Sequence, residues 1–242
     1  MVKNLIKLLE TYSNKIGMNK RQLFLQLVEM QYQFTILGSY QGKLRNAEQA
    51  FNEYFTAYLE TVKAHPFKDV LGELMTELDM LDTGSKSKLC QNLTPNSLSD
   101  ALSRMLNDTS KPSLSDICCG TGVLILSNLK IRLESNTNDG IKLVLNDMDS
   151  LMCKICMIQI EWNNSIHIKG LFPLSYIIYN HNTIAEYKHF ANGITEQSKV
   201  VGCSDPRLIT DEVIKRGLVE LNFQRQLLRY SNENQKTLEI IK

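Results

Sequence analysis

The sequence predicts an α/β fold in which a helical amino-terminal segment precedes a sheet built from strand-helix-strand units. Three observations carry this expectation. Apolar residues recur at helical spacing as far as Leu78; a short run from Leu114 ends in the acid Asp116 and turns through Gly120 and Gly122 into a helical pattern; and a second buried run, Ile141 to Leu145, ends in Asn146-Asp147-Met148-Asp149. Strands alternating with helices call for a parallel sheet.

The helical part comes first. Val2, Leu5, Ile6, Leu9 and Tyr12 share one face, a second run leads from Lys20 through Leu23, Leu27, Met30 and Phe34, and Gly38 and Gly42 then mark a turn. Ala47, Ala50, Phe51, Tyr54, Phe55, Tyr58, Leu59 and Val62 form the most continuous apolar stripe. It is expected to be core, because no basic residues interleave its aromatics as base stacking on a nucleic acid would require. His65-Pro66 ends that helix, since proline disfavours helical backbone in the residue before it. Phe67, Val70, Leu71, Leu74, Met75 and Leu78 make the next stripe, which stops at Asp82-Thr83-Gly84-Ser85. Leu98, Ala101, Leu102, Met105 and Leu106 form a helix after Thr94-Pro95.

The chemistry concentrates in Asp116-Ile117-Cys118-Cys119-Gly120-Thr121-Gly122. Glycine permits positive φ and lets a ligand approach the backbone closely, while the first turn of the following helix, patterned through Leu124, Ile125, Leu126 and Leu129, offers unpaired N–H groups. Asp116, at the strand end, suits a cationic amine. The same Gly-x-Gly also fits an ordinary tight turn. What adds weight is the acid some 25 residues beyond, Asp147, at the end of the second strand, where doubly wound nucleoside-binding folds grip a ribose by its hydroxyls.

With the upstream run Gln91-Asn92-Leu93-Thr94-Pro95 and the segment His65 to Leu74, these motifs stand in an order that resembles the N-6 adenine-specific DNA methylases related to type I modification subunits. The resemblance spans roughly residues 65 to 165. It implies a Rossmann-like S-adenosylmethionine-dependent methyltransferase sheet, with Asp116, Cys118, Gly120, Gly122, Asp147 and Met148 around the cofactor and Thr94 and Pro95 folded over it. A flexible linker with a helix cap is the other account of that last stretch. DNA is the implied partner, read with the help of another subunit in a modification or restriction-modification system, and homo- or hetero-oligomers through the helical segments would fit. The implied organisation is a helical region over 1–82, a methyltransferase-like α/β domain over 83–209 and a carboxy-terminal helix over 210–242, its apolar positions being Val213, Ile214, Leu218, Leu221 and Leu228.

Two departures from the family matter. The Asn/Asp-Pro-Pro-aromatic loop that holds the target amine and stacks the flipped base is missing; the nearest candidate is Ser204-Asp205-Pro206-Arg207. Where many relatives carry an acid after a glycine beyond the third strand, this chain reads Lys169-Gly170-Leu171-Phe172. No catalytic residue is therefore assigned. Two readings follow: a compact DNA adenine-N6 methyltransferase, or a methylase-like accessory protein with a retained or vestigial cofactor pocket and no catalysis.

Composition narrows the classes. Twenty-seven basic against 26 acidic residues give no global field toward nucleic acid or anionic membrane. No secretory leader and no run long enough to cross a bilayer are evident, so a cytoplasmic, reducing setting is expected for the six cysteines. Cys153 and Cys156 form a C-x-x-C, but within a predicted helix and with no second pair at zinc spacing, so small buried side chains rather than a metal site are expected; Cys118 and Cys119 are expected to be wall residues of the turn. Ile166 to Lys169, Ser175 to Tyr179 and Lys199 to Cys203 are candidate later strands, and His181, Glu186 and His189 are expected to be surface polar residues.

Overall fold

The structure, a computed structural model, describes residues 1–40, 47–81, 91–106, 110–183 and 199–204. Gly42, the stretch from Asp82 through Lys86 and Lys88 to Cys90, Glu186, His189, Asp205 to Arg207 and the helix expected over 210–242 lie outside the described residues. The protein is a mixed α/β structure. Four helices come first, α1 (Lys3–Ile16), α2 (Lys20–Leu37), α3 (Ala47–Ala64) and α4 (Val70–Glu77). Then follow α5 (Asn96–Leu106), β1 (Ser113–Asp116), α6 (Val123–Glu134), β2 (Ile141–Asp147), α7 (Ser150–Asn163), a π-helical turn (Asn164–Ile168), β3 (Leu174–Asn180) and β4 (Lys199–Cys203).

Local sequence explains the breaks. Gly17 closes α1 and Gly38 closes α2, each in the left-handed conformation, and the Asn19 side chain caps α2 by accepting from Arg21 N–H at 2.8 Å. The α3 stripe is core, as expected: Ala50, Phe51, Tyr54, Tyr58 and Val62 are buried, and Phe55 meets Trp162 of α7 edge-on at 5.0 Å. Phe67 does not belong to a helix. It takes φ +57, its side chain is buried, and its N–H donates to Asn163 Oδ1 at 2.8 Å, which anchors the chain reversal between α3 and α4 on α7.

The sheet order is β1-β2-β3-β4. The first three strands are parallel, with Asp116 beside Leu145 and Asp147 beside Asn180, and β4 runs antiparallel to β3. Among the described residues no strand lies beyond β1. Side chains alternate across the sheet. Ile141, Leu143 and Leu145 are buried on the helix-bearing face, while Lys142 on the other face is exposed, as are its register partner Ser113 and Ser115 beside Val144.

The helix α7 is the centre of the molecule. Met152, Cys153, Ile155, Cys156, Met157, Ile158 and Ile160 are all buried, so its apolar residues extend around most of its circumference, as in a helix packed between two layers. On one side it meets β2, β3 and β4; on the other it meets α2, α3 and α4. Lys154 pairs with Glu29 of α2 at 2.8 Å, and the Tyr32 hydroxyl of α2 donates to the Val201 carbonyl of β4. One hydrophobic cluster therefore runs from Val2 to Cys203, and it is continuous across the boundary expected near residue 82.

Two expectations need correction. Ile166 to Lys169 is not a strand: Lys169 N–H donates to Asn164 O at 2.8 Å, closing the π-helical turn, with Ile168 buried and His167 Nε2 2.9 Å from the Val62 carbonyl. His181 is not a surface residue, being only 5 % exposed. The strands expected at Ser175 to Tyr179 and Lys199 to Cys203 are present as β3 and β4. Cys153 and Cys156 are buried free thiols in α7.

A candidate ligand site at the strand tips

The carboxyl ends of β1, β2 and β3 are tied to one another by side chains that the sequence places just at or beyond each strand. Asp116 Oδ1 accepts from Cys118 N–H at 3.0 Å, which folds the chain back at the tip of β1. Cys119 N–H donates to the Asn146 carbonyl at 2.9 Å, so the turn sits on the end of β2. Asp147 then joins the two motifs: Oδ2 accepts from Gly120 N–H at 2.9 Å, and Oδ1 accepts from Asp149 N–H at 2.9 Å. Asn146 Nδ2 donates to the Ile117 carbonyl at 3.0 Å and to Thr183 Oγ1 at 2.7 Å, and Asn180 Nδ2 to the Asp147 carbonyl at 3.0 Å. Opposite these, Gln91 Nε2 donates to Asp149 Oδ2 at 2.6 Å, holding the segment before α5 over the tips.

These contacts enclose a cavity of ≈ 200 Å³. Gln91, Asn92 and Leu93 lie on one side, Ile117, Cys118 and Gly120 on another, Asn146 to Asp149 with Met152 along β2 and the start of α7, and His181, Asn182 and Thr183 beyond β3. Of the residues expected in the site, Cys118, Gly120, Asp147 and Met148 line this cavity, Met148 being half exposed at 51 %. Asp116 turns toward a neighbouring depression of ≈ 290 Å³ between α5, β1 and α6, lined by Leu102, Leu106, Leu114 and Leu124 among others. Thr94 and Pro95 line neither; the three residues before them line the cavity, and Pro95 instead accepts Ser99 N–H as α5 begins.

The two glycines have different jobs. Gly120, at φ +53, would direct a Cβ into open space whose nearest atom is Leu93 Cδ2 at 3.9 Å. Gly122, at φ +94, is buried, and a Cβ there would stand 2.8 Å from Cys156 Sγ. The first leaves room for a ligand; the second lets α6 begin directly against α7.

Electrostatically the site is acidic. Among the described residues no ion pair reaches Asp116, Asp147 or Asp149. Burial pushes the Asp116 and Asp147 carboxyls above the ordinary carboxylate range against the pull of their backbone hydrogen bonds, and the charges of Asp149 and Asp116 add to the rise at Asp147. The Cys118 thiol is raised by partial burial and by the charges of Asp147 and Asp116, and that of Cys119 by its hydrogen bond with Cys156 and by burial. Neither cysteine is activated as a thiolate nucleophile. An orphaned acceptor completes the picture: Asn146 Oδ1 is buried with no hydrogen-bond partner among the described residues.

Asn146, Asp149, Asn182 and Thr183 were not expected in the site. The signal for the last two was present, since the apolar run Tyr176 to Tyr179 ends in the polar run Asn180-His181-Asn182-Thr183, as a strand leading into a binding loop does. No known protein family, curated protein or solved structure matches the chain. Among the described residues no helix is long and apolar enough to cross a membrane, and no cluster of His, Cys, Asp and Glu is arranged to hold a metal ion.

Proposed function

We propose that this chain is an S-adenosylmethionine-binding, DNA adenine-N6 methylase-like protein of a modification or mobile-element system, with the cofactor at the tips of β1 and β2 on a Rossmann-like half sheet. The observation that carries the reading is the Gly120 N–H to Asp147 Oδ2 hydrogen bond at 2.9 Å, which brings the glycine turn and the second-strand acid to one cavity. Asp147 would receive the ribose hydroxyls beside that bond. Asp116 would face the amino group, and the space over Gly120 would take the chain between them. Uncompensated carboxylates suit a ligand bearing an amine and a sulfonium. The cavity is smaller than the ≈ 300–1,000 Å³ usual for small-molecule pockets, so the ligand would extend out of it, over the turn toward Asp116.

When bound, S-adenosylmethionine supplies an electrophilic methyl group. No Asn/Asp-Pro-Pro-aromatic loop lines the cavity, and the nearest Pro-containing candidate, Asp205 to Arg207, lies outside the described residues. A second reading, a cofactor-binding accessory protein without its own catalysis, is favoured by one feature of the sheet. Doubly wound folds bind ligands where strand order reverses, and here no described strand lies beyond β1 to make that reversal.

Calorimetry with S-adenosylmethionine, followed by tritiated methyl transfer to adenine-containing duplex DNA, separates the readings. Binding with transfer supports the enzyme, binding without transfer supports the accessory protein with a retained pocket, and neither would reduce the glycine turn to an inherited element of the fold. Asp147→Ala is expected to weaken binding by about 1–3 kcal/mol, the worth of hydrogen bonds to a charged group. An unchanged affinity would remove the ribose assignment.

The raised carboxyls predict a pH dependence. Asp116 and Asp147 hold their protons to higher pH than free carboxyls do, and the ligand requires them ionised. Affinity should therefore climb as pH rises from about 4 through the raised values and then level off, by at most ~10-fold per unit for each group. The apoprotein should respond in the opposite sense. A raised folded-state value means that the stabilising contribution is present at low pH and lost as pH rises through it. Affinity flat between pH 4 and 8 would rule out both contacts.

A further inference from the structure

The buried carboxylate of Asp69 takes no part in the site as described so far, yet it reaches the glycine turn from the helical region. Asp69 is 3 % exposed and stands before α4. Its Oδ1 accepts from Gly72 N–H and from Gln159 Nε2, both at 2.8 Å, and its Oδ2 accepts from Thr121 Oγ1. Gln159 of α7 also donates to the Thr121 carbonyl at 2.8 Å and accepts from Leu71 N–H at 3.1 Å. Thr121, the residue between the two site glycines, is thus gripped by its hydroxyl and by its carbonyl from two elements distant in sequence.

Capping α4 does not require this. An asparagine caps a helix as well as an aspartate, and one accepting oxygen suffices. Among the described residues no ion pair reaches Asp69, and burying a carboxylate in that state is unfavourable unless its oxygens are well used. Here the second oxygen is used on the turn. Even Gly72 conforms to the arrangement, since a Cβ there would stand 2.1 Å from Asp69 Oδ2.

We propose that Asp69 is a positioning residue that sets the backbone of Gly120 to Gly122, through Thr121, in the shape that receives the ligand. The claim about the ligand rests on the function proposed above; the claim about the turn does not. Asn at position 69 keeps the cap but presents an N–H₂ where Thr121 now finds an acceptor, so the hydroxyl must reverse or turn away. The Gly120 N–H bond to Asp147 is one residue from that change.

The test uses the full chain with Asp69→Asn, Thr121→Val and Thr121→Ser, each titrated with S-adenosylmethionine well below its melting temperature, with amide exchange of Gly120 and Leu143 followed by NMR. Asp69→Asn and Thr121→Val are expected to weaken binding by tenfold or more and to speed Gly120 exchange by tenfold or more, with Leu143 unchanged. Thr121→Ser, which keeps the hydroxyl, should restore both to within threefold of the wild type. A purely structural role would alter Gly120 and Leu143 alike and leave the folded fraction's affinity intact. Wild-type affinity and Gly120 exchange in both Asp69→Asn and Thr121→Val would overturn the proposal. If the wild type binds no S-adenosylmethionine, the proposed function fails, and Gly120 exchange alone decides the role of Asp69. If Asp69→Asn does not fold, the two Thr121 variants decide it.

Discussion

Gly122→Ala is expected to destabilise the fold by about 2–4 kcal/mol, combining the strain of a side chain in the left-handed region with overpacking of a full core. In a chain of this size that corresponds to a fall in melting temperature of roughly 5–15 °C. Both contributions are local and separable. A methyl group at position 122 would stand 2.8 Å from Cys156 Sγ and 3.6 Å from the Cys156 Cα, on a helix that cannot withdraw because it is packed on both sides. Cys156→Ala in the same chain should recover the steric part and leave the backbone part, so a double-mutant cycle by thermal or urea unfolding would show a coupling of about 1–2 kcal/mol. A Gly122→Ala protein that melts within a degree of the wild type would mean that α6 does not start against α7 as described.

Gly120→Leu is expected to do the reverse, sparing the fold and abolishing S-adenosylmethionine binding. The backbone here also has positive φ, so about 1–2 kcal/mol of stability is lost. Among the described residues no protein atom crowds the new Cβ, however, the nearest being Leu93 Cδ2 at 3.9 Å. The leucine would occupy the ligand's space rather than the protein's own. Calorimetry and a thermal melt on the same sample check both halves. Retained binding would mean that the turn faces elsewhere than toward the ligand, and would remove the cofactor assignment altogether.

The parts of the molecule that were legible in the sequence are those whose signal is local. Phe51, Tyr54 and Tyr58 announce a buried face by spacing alone, and the glycine turn and Asp147 carry their meaning within a few residues. What was not legible depends on distant partners. Asp69 reads as an ordinary helix cap, and nothing near it in sequence indicates Thr121 or Gln159. The alternation at Ile166 to Lys169 is too short to distinguish a strand from one wide helical turn; the Asn164 carbonyl, by accepting from Lys169 N–H, settles it. That misreading placed the end of the third strand too early, at Gly170, whereas the polar residues at the true end of β3 are Asn180 to Thr183. Thr94 and Pro95 were displaced from the cavity by a shift of only a few residues, because Gln91, not Thr94, is the residue clipped to Asp149.

The position of α7 has a thermodynamic consequence for the whole chain. A helix packed on both sides cannot lose one layer without exposing apolar surface to water, so the amino-terminal helices and the sheet are expected to unfold in one cooperative transition. Cutting the chain between them would leave two fragments with open cores. On that expectation, binding free energy delivered by a small molecule at the strand tips would also protect residues as remote as Leu5 and Leu9 from unfolding.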